Sequence, residues 1–521
     1  MITGSQAASR CNRNRLLLLG TAVFAMLWSV VRACRQAITI DEAGTYFAFV
    51  AGPFAAHWDP HSNNHVLNSL LMHFFIWAFG LHHLTIRAPA LIGAALYIAA
   101  AYCLCRLLTR SDAFGWALFV CMVCNPLVMD FLVAARGYSL AMGFLLWALA
   151  IAAYRHTGEG ARTLPLNRAA ALSSVCLALS FSANFSFAFA DAAAVLVVFM
   201  WFGRQDSALS RWRLLAWCAL PGLLAATVFT GTMALRISKA DLSYGTTSLH
   251  DMVNSLLAAS FYQLNSDVVN PLLMPLLVRA RRILFPLLAL AVILRVAVLL
   301  RRRPVACDAR TNWLAAFGAG VGAIAALALT AHWLAFRLLR IPLPRDRTGI
   351  YLVPLFMLVA AAVAEIPSSR RPAAWLRRAV VALMFVIGSY FLLCLRAGYF
   401  KDWQWGADID RAYSVVAYYN RAYGVREIGA TWLYVLPLRL YREISGHETI
   451  SEFVGAVDRP LPPDKQVYVL NSVFDREFIE QQKLRIVYRG PTTDVVVAIR
   501  PELESRPPHP SVPLTGTDSF P

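Results

Sequence analysis

Residues 16–46 read LLLLGTAVFAMLWSVVRACRQAITIDEAGTY. The apolar run 16–33 is long enough to cross a bilayer, which takes roughly 20 mostly apolar residues. Two adjacent acids, Asp41 and Glu42, follow it closely. The basic flank of the run (Arg10, Arg13, Arg15) also suits a signal peptide, and Val31-Arg32-Ala33-Cys34 loosely resembles a lipoprotein cleavage site. Arg32 fits such a site poorly and the next loop belongs with the membrane body, so the run reads as an uncleaved anchor.

Further runs of this kind extend along the chain. Eleven spans are expected, near 16–33, 87–108, 114–132, 138–154, 169–182, 185–202, 214–234, 283–300, 313–331, 349–365 and 379–396. Composition agrees: of 521 residues, 58% are hydrophobic and 15% charged, against about 45–50% and 25% in soluble proteins. That excludes a soluble enzyme, a disordered chain or a coiled coil. The formal charge of +18 could suggest nucleic acid, but the basic residues lie between apolar runs rather than on one polar face, so no nucleic-acid partner is expected. The 10 cysteines all precede residue 395, most of them within apolar runs, and form no readable disulfide framework.

Lys and Arg orient the spans. With a cytoplasmic N-terminus, the inner segments hold Arg301, Arg302, Arg303, Arg370, Arg371, Arg377 and Arg378. An odd number of spans then puts the C-terminal segment outside. Residues 398–521 carry 14 basic and 16 acidic residues and no spanning run. They read as a small α/β unit, with helices at 406–423, 433–445 and 473–483 and strands at 425–432, 466–470, 484–488 and 494–499. Pro460, Pro462 and Pro463 mark a linker, and Pro507, Pro508 and Pro510 a disordered tail. No solenoid repeat is present. The expected class is an all-α polytopic membrane protein of about eleven transmembrane helices, with interfacial helices in the first outer loop and a small C-terminal α/β extracytoplasmic domain. Its parts are a transmembrane domain (1–397), the α/β domain (398–505) and the Pro-rich tail (506–521).

Chemistry concentrates in the outer loops. Asp41 reads either as the N-cap of an interfacial helix with Glu42 in its first turn, or as a general base whose partial burial favours accepting a proton. In the stretch from His57 to Asn68, Asp59-Pro60 predicts a helix start. The helix would run to Phe79, with His61, Asn64, His65 and Asn68 on one face and its polar stripe toward a cavity. His61 and His65 could hold a divalent metal, although Ser62 stands where a zinc protease has its Glu. Alternatively they bind a polar substrate or are plain interfacial histidines. Arg136, in Ala135-Arg136-Gly137-Tyr138, either pairs with a carboxylate such as Asp130 or Asp41, or forks a phosphate. The loop 332–348 carries Arg337, Arg340, Arg345 and Arg347, and Arg279, Arg281 and Arg282 precede the eighth span. These residues either snorkel to outer headgroups or clamp an anionic lipid.

Three stretches together resemble the membrane glycosyltransferases of the C superfamily, which include the protein O-mannosyltransferases and the aminoarabinose transferases of lipid A. They are Asp41-Glu42, the segment from Asn64-His65 to His73 continuing through Ile86-Arg87-Ala88-Pro89, and Ala135-Arg136-Gly137-Tyr138. The likeness covers roughly 15–155. A fainter one runs from Asp346-Arg347-Thr348 to Pro354. The chain departs from the family in having Val66-Leu67-Asn68 after His65, where the family has Pro-Pro-Leu, and Ala135 before Arg136, where it has an acid.

The resemblance implies an inverting transfer of a sugar from a polyprenyl-phosphate donor, at the outer face of a bacterial plasma membrane, to a glycan, lipid or protein hydroxyl. Asp41 would be the base, and Glu42 would orient the acceptor or assist electrostatically. Arg136 with one or both of Arg345 and Arg347 would hold the donor phosphate, and His61, His65, Asn68 and Tyr138 would line the cavity. No cofactor is implied, and a divalent metal is left open. No Walker-type loop is present. The rival reading is a transporter or flippase of an anionic or lipid-linked substrate. That class carries inverted repeats and midplane charges, whereas charge here concentrates in outer loops, with Asp191 the main exception. A non-catalytic scaffold would leave the polar residues of 41–68 unexplained.

Overall fold

The computed structural model describes residues 4–204, 209–231, 233–300, 308–367, 371–446, 449–457, 460–505 and 507. Arg301, Arg302, Arg303, Arg370 and the Pro-rich tail, Pro507 apart, lie outside the described residues.

Ten helices among these are long and apolar enough to cross a membrane: Leu16–Arg35, His83–Leu108, Tyr138–Arg155, Leu166–Ala183, Phe185–Gly203, Arg211–Thr230, Met274–Leu300, Ala309–Leu339, Asp346–Glu365 and Arg371–Leu393. The chain is an integral membrane protein. The remaining expected span, 114–132, is broken into Asp112–Val123 and Pro126–Phe131. Proline cannot donate to a helical ladder, and the Asn125 side chain restarts the helix by accepting from the Leu127 and Val128 N–H groups at 3.0 and 3.3 Å. Ala309–Leu339 extends past the expected end at 331, so His332 and Arg337 stand on a helix rather than in a loop.

The chain forms two compact units. The first, membrane unit comprises 1–31, 55–71 and 87–396. Its helices approach closely where side chains are small: a Cβ on Gly93 would fall 2.3 Å from the Leu140 nitrogen. Arg295 is fully buried. Its guanidinium donates to the carbonyls of Val363, Ala373 and Ile366, because a buried charge must be met by hydrogen-bonding groups.

The second unit joins 397–521 to 32–54 and 72–86. Its sheet contains β1 (Glu427–Ala430), β2 (Glu452–Val454), β3 (Val467–Asn471), β4 (Arg485–Arg489) and β5 (Val495–Ile499), in the order β2-β1-β3-β5-β4. The β1 strand pairs parallel to both β2 and β3, and β5 pairs antiparallel to both β3 and β4. Both β3 and β5 are buried along their whole length and, the terminal Asn471 of β3 apart, read as apolar runs, as central strands do. The expected helices and strands of 406–499 are present with shifted ends. The three-residue edge strand β2 has no counterpart among the expected strands.

Candidate functional site

In the second unit, Thr39 caps the short helix Ile40–Thr45. The expectation that Asp41 is the cap is therefore corrected. Thr39-Ile40-Asp41-Glu42 is a capping box: the Thr39 hydroxyl accepts from the Glu42 N–H at 3.1 Å, and Glu42 Oε2 accepts from the Thr39 N–H at 3.0 Å. Two terminal N–H groups are satisfied reciprocally, which a single Asp cannot do. Glu42 is fully buried, whereas Asp41 is half-buried in the first turn. The segment is held to the helix Trp432–Ser445. The Ile38 N–H donates to the Tyr441 hydroxyl at 2.9 Å, and the Tyr46 hydroxyl donates to Glu443 at 2.9 Å. Burial and the Glu443 charge push the Tyr46 phenol above its ordinary value.

In the membrane unit a cavity of about 260 Å³ is lined by residues from five stretches of chain, including Asn63, His65, Tyr138, Asn184, His332 and Arg347. Gly137 positions one wall. Its φ is +72°, and a Cβ there would meet the Ala183 carbonyl oxygen at 2.0 Å. Only glycine takes that conformation at that distance, so the chain can turn tightly between Arg136 and Tyr138. The Asn184 side chain donates to the Arg136 carbonyl at 3.1 Å, and that of Asn68 donates to the Ala135 carbonyl at 3.2 Å. Arg136 is buried and donates to Asn63 Oδ1 at 3.0 Å. Tyr138 lies 5.9 Å from the His65 ring.

His65 is 4% exposed, and neither ring nitrogen makes a hydrogen bond among the described residues. Burial, reinforced by the charges of Arg136 and Arg347, holds this imidazole well below its ordinary value, which favours the neutral form. Both guanidiniums thus bear on the same histidine. Arg347 lies over the Tyr244 ring at 4.5 Å.

The expected helix from Asp59 does not form. The α-helix is Val66–Phe79, because Asn64 turns back to donate to the carbonyls of His57 and Asp59 at 3.0 Å each. His61, Asn64, His65 and Asn68 therefore do not share one helical face. His61 lies outside the lining, 3.7 Å from Asp241. Among the described residues no three His, Cys, Asp or Glu side chains group as metal ligands. Asn68 holds the Arg136 turn rather than lining the cavity. Arg345 is exposed, 3.7 Å from Asp346 and outside the lining, whereas Arg347 is within it. Asp130 pairs with Arg396 at 3.1 Å, and both are buried. Asn184, Tyr244, Asp241 and His332 were not anticipated as site residues. The one signal in sequence was Asn184, a lone amide between two apolar runs.

No protein-family model matches the chain, and no curated protein matches it. Among solved structures it is similar to ArnT from Cupriavidus metallidurans in the apo state, at 13% identity and TM-score 0.49, over 94% of this chain and 98% of that one. It is also similar to the same protein bound to undecaprenyl phosphate, at 13% identity and TM-score 0.46, over 93% and 97%. Neither similarity carries an activity across to this chain.

Proposed function

We propose that this chain is a membrane glycosyltransferase that moves a sugar from a polyprenyl phosphate to a hydroxyl acceptor, with inversion, at the extracytoplasmic face of a bacterial plasma membrane. The observation that carries this reading is the 260 Å³ cavity lined by Arg347 and the buried His65, with the buried Arg136 at the turn just before the lining Tyr138. Two fixed cations in a low-dielectric setting suit a phosphate whose charge grows as it leaves. The resemblance of Asp41-Glu42 and of Ala135-Arg136-Gly137-Tyr138 to the C superfamily supplies the reaction class.

In the step proposed, the acceptor oxygen bonds to the anomeric carbon as the carbon–oxygen bond to phosphate breaks. The electron pair leaves on the phosphate, and the acceptor proton passes to a carboxylate base, the part that the resemblance gives to Asp41. Glu42 is a positioning residue: by holding Thr39 it fixes the turn that presents Asp41. In proteoliposomes with a labelled polyprenyl-phosphate sugar, Asp41→Asn should abolish transfer while insertion and donor binding persist. Retained transfer would remove Asp41 as the base. Movement of the labelled lipid without a covalent product would favour the transporter reading.

A further inference from the structure

Within the cavity of the membrane unit, His332 presents a buried Nε2 that makes no hydrogen bond among the described residues. Its ring is set by Phe189, edge-on at 4.7 Å, and by Tyr351, stacked at 6.5 Å. His65, on the same lining, makes no hydrogen bond through either nitrogen among the described residues. Buried polar atoms are nearly always satisfied, so these imidazoles are free to bond an occupant of this cavity. We propose that His65 and His332 read the sugar of the donor, and that this sugar is a neutral, hydroxyl-bearing one rather than an amino sugar. This deepens the glycosyltransferase reading and rests on it.

Complementarity points to the neutral class. A neutral imidazole offers one donor and one acceptor, and a hydroxyl answers both. An ammonium can only donate, and once buried it needs an anionic partner. Asp241 is the one acid of the lining among the described residues, and its ionic contact there is with His61, not with His65 or His332. Its Oδ2 accepts from the Ser238 hydroxyl and N–H at 2.6 and 3.1 Å, and its Oδ1 faces His61 at 3.7 Å. The other charge on the lining is the cationic Arg347, which would repel a second cation. Phe185, Phe189 and Tyr244 add apolar faces for the carbon side of a sugar ring.

The test is equilibrium binding to the full-length protein in detergent. Three probes are compared: a short-chain polyprenyl phosphate, the same lipid phosphate carrying glucose, and the same carrying glucosamine. The glucose lipid should bind about tenfold or more tighter than the bare phosphate, and the glucosamine lipid should gain nothing. His332→Phe should erase most of the glucose gain while altering the bare phosphate far less, with His332→Gln recovering part of it. Failure of the bare polyprenyl phosphate to bind would overturn the glycosyltransferase reading itself. Binding of the bare phosphate with equal or tighter binding of the glucosamine lipid would overturn the sugar assignment alone. A glucose gain that survives His332→Phe would likewise remove His332 from sugar recognition.

Discussion

Gly137 sits where Arg136 and Tyr138 must diverge within one turn. A side chain there costs about 1–2 kcal/mol for the left-handed backbone alone, before the clash with Ala183. Gly137→Ala should lower the melting temperature in detergent by several degrees, and an unchanged melt would contradict the geometry. Arg396→Met should destabilise by about 3–5 kcal/mol by stranding the buried Asp130, and adding Asp130→Asn should recover part of the loss. An equal loss in the double variant would mean that Arg396 acts through other contacts. His65 is more acidic in the fold than in the unfolded chain, where its pKa is about 6.5. Below that pH the unfolded chain takes up a proton that the fold refuses. Stability present at neutral pH should therefore fall on acidification, and His65→Gln should flatten that decline. A stability profile indifferent to the substitution would show that His65 is not held neutral. Asp41, His65 and Arg136 stand out in sequence as polarity next to apolar runs. Tyr244 and His332, which line the same cavity as His65, do not, because no periodicity links residues from separate stretches of chain.

Elements were legible where hydrophobic length alone decides them. Ten of the eleven expected spans correspond to long apolar helices. The other was misread because Asn125-Pro126 looks minor beside a long apolar run, yet its missing N–H and side-chain cap end one helix and begin the next. The edge strand β2 is too short to show an alternating pattern. The capping box at Thr39 is legible in its Thr-x-x-Glu spacing, a sequence signature, although the adjacent acids Asp41 and Glu42 also suit a cap of their own. Thr39→Ala and Glu42→Ala should each cost about 1 kcal/mol, and Glu42→Gln should retain much of the cap. If Glu42→Gln keeps stability but loses transfer altogether, Glu42 acts on the acceptor and not through the turn.

At the scale of the molecule, the acid-bearing segment 32–54 folds in one compact unit with residues 397–521. A division at 397/398 drawn from composition does not reveal this, because the contacts join residues far apart in the chain. The excised segment 397–521 should therefore lack cooperative unfolding in near-UV circular dichroism, and a sharp transition would show that it folds without 32–54. The central claim is that the membrane unit holds a polyprenyl phosphate through Arg136 and Arg347 for sugar transfer. The most direct measurement is transfer from a labelled polyprenyl-phosphate sugar in proteoliposomes, with the intact chain and with Arg136→Ala and Arg347→Ala. Covalent product with the intact chain and a sharp rise in apparent donor KM in each variant are predicted. Absence of product in the intact chain, or an unchanged donor KM in both variants, would contradict it.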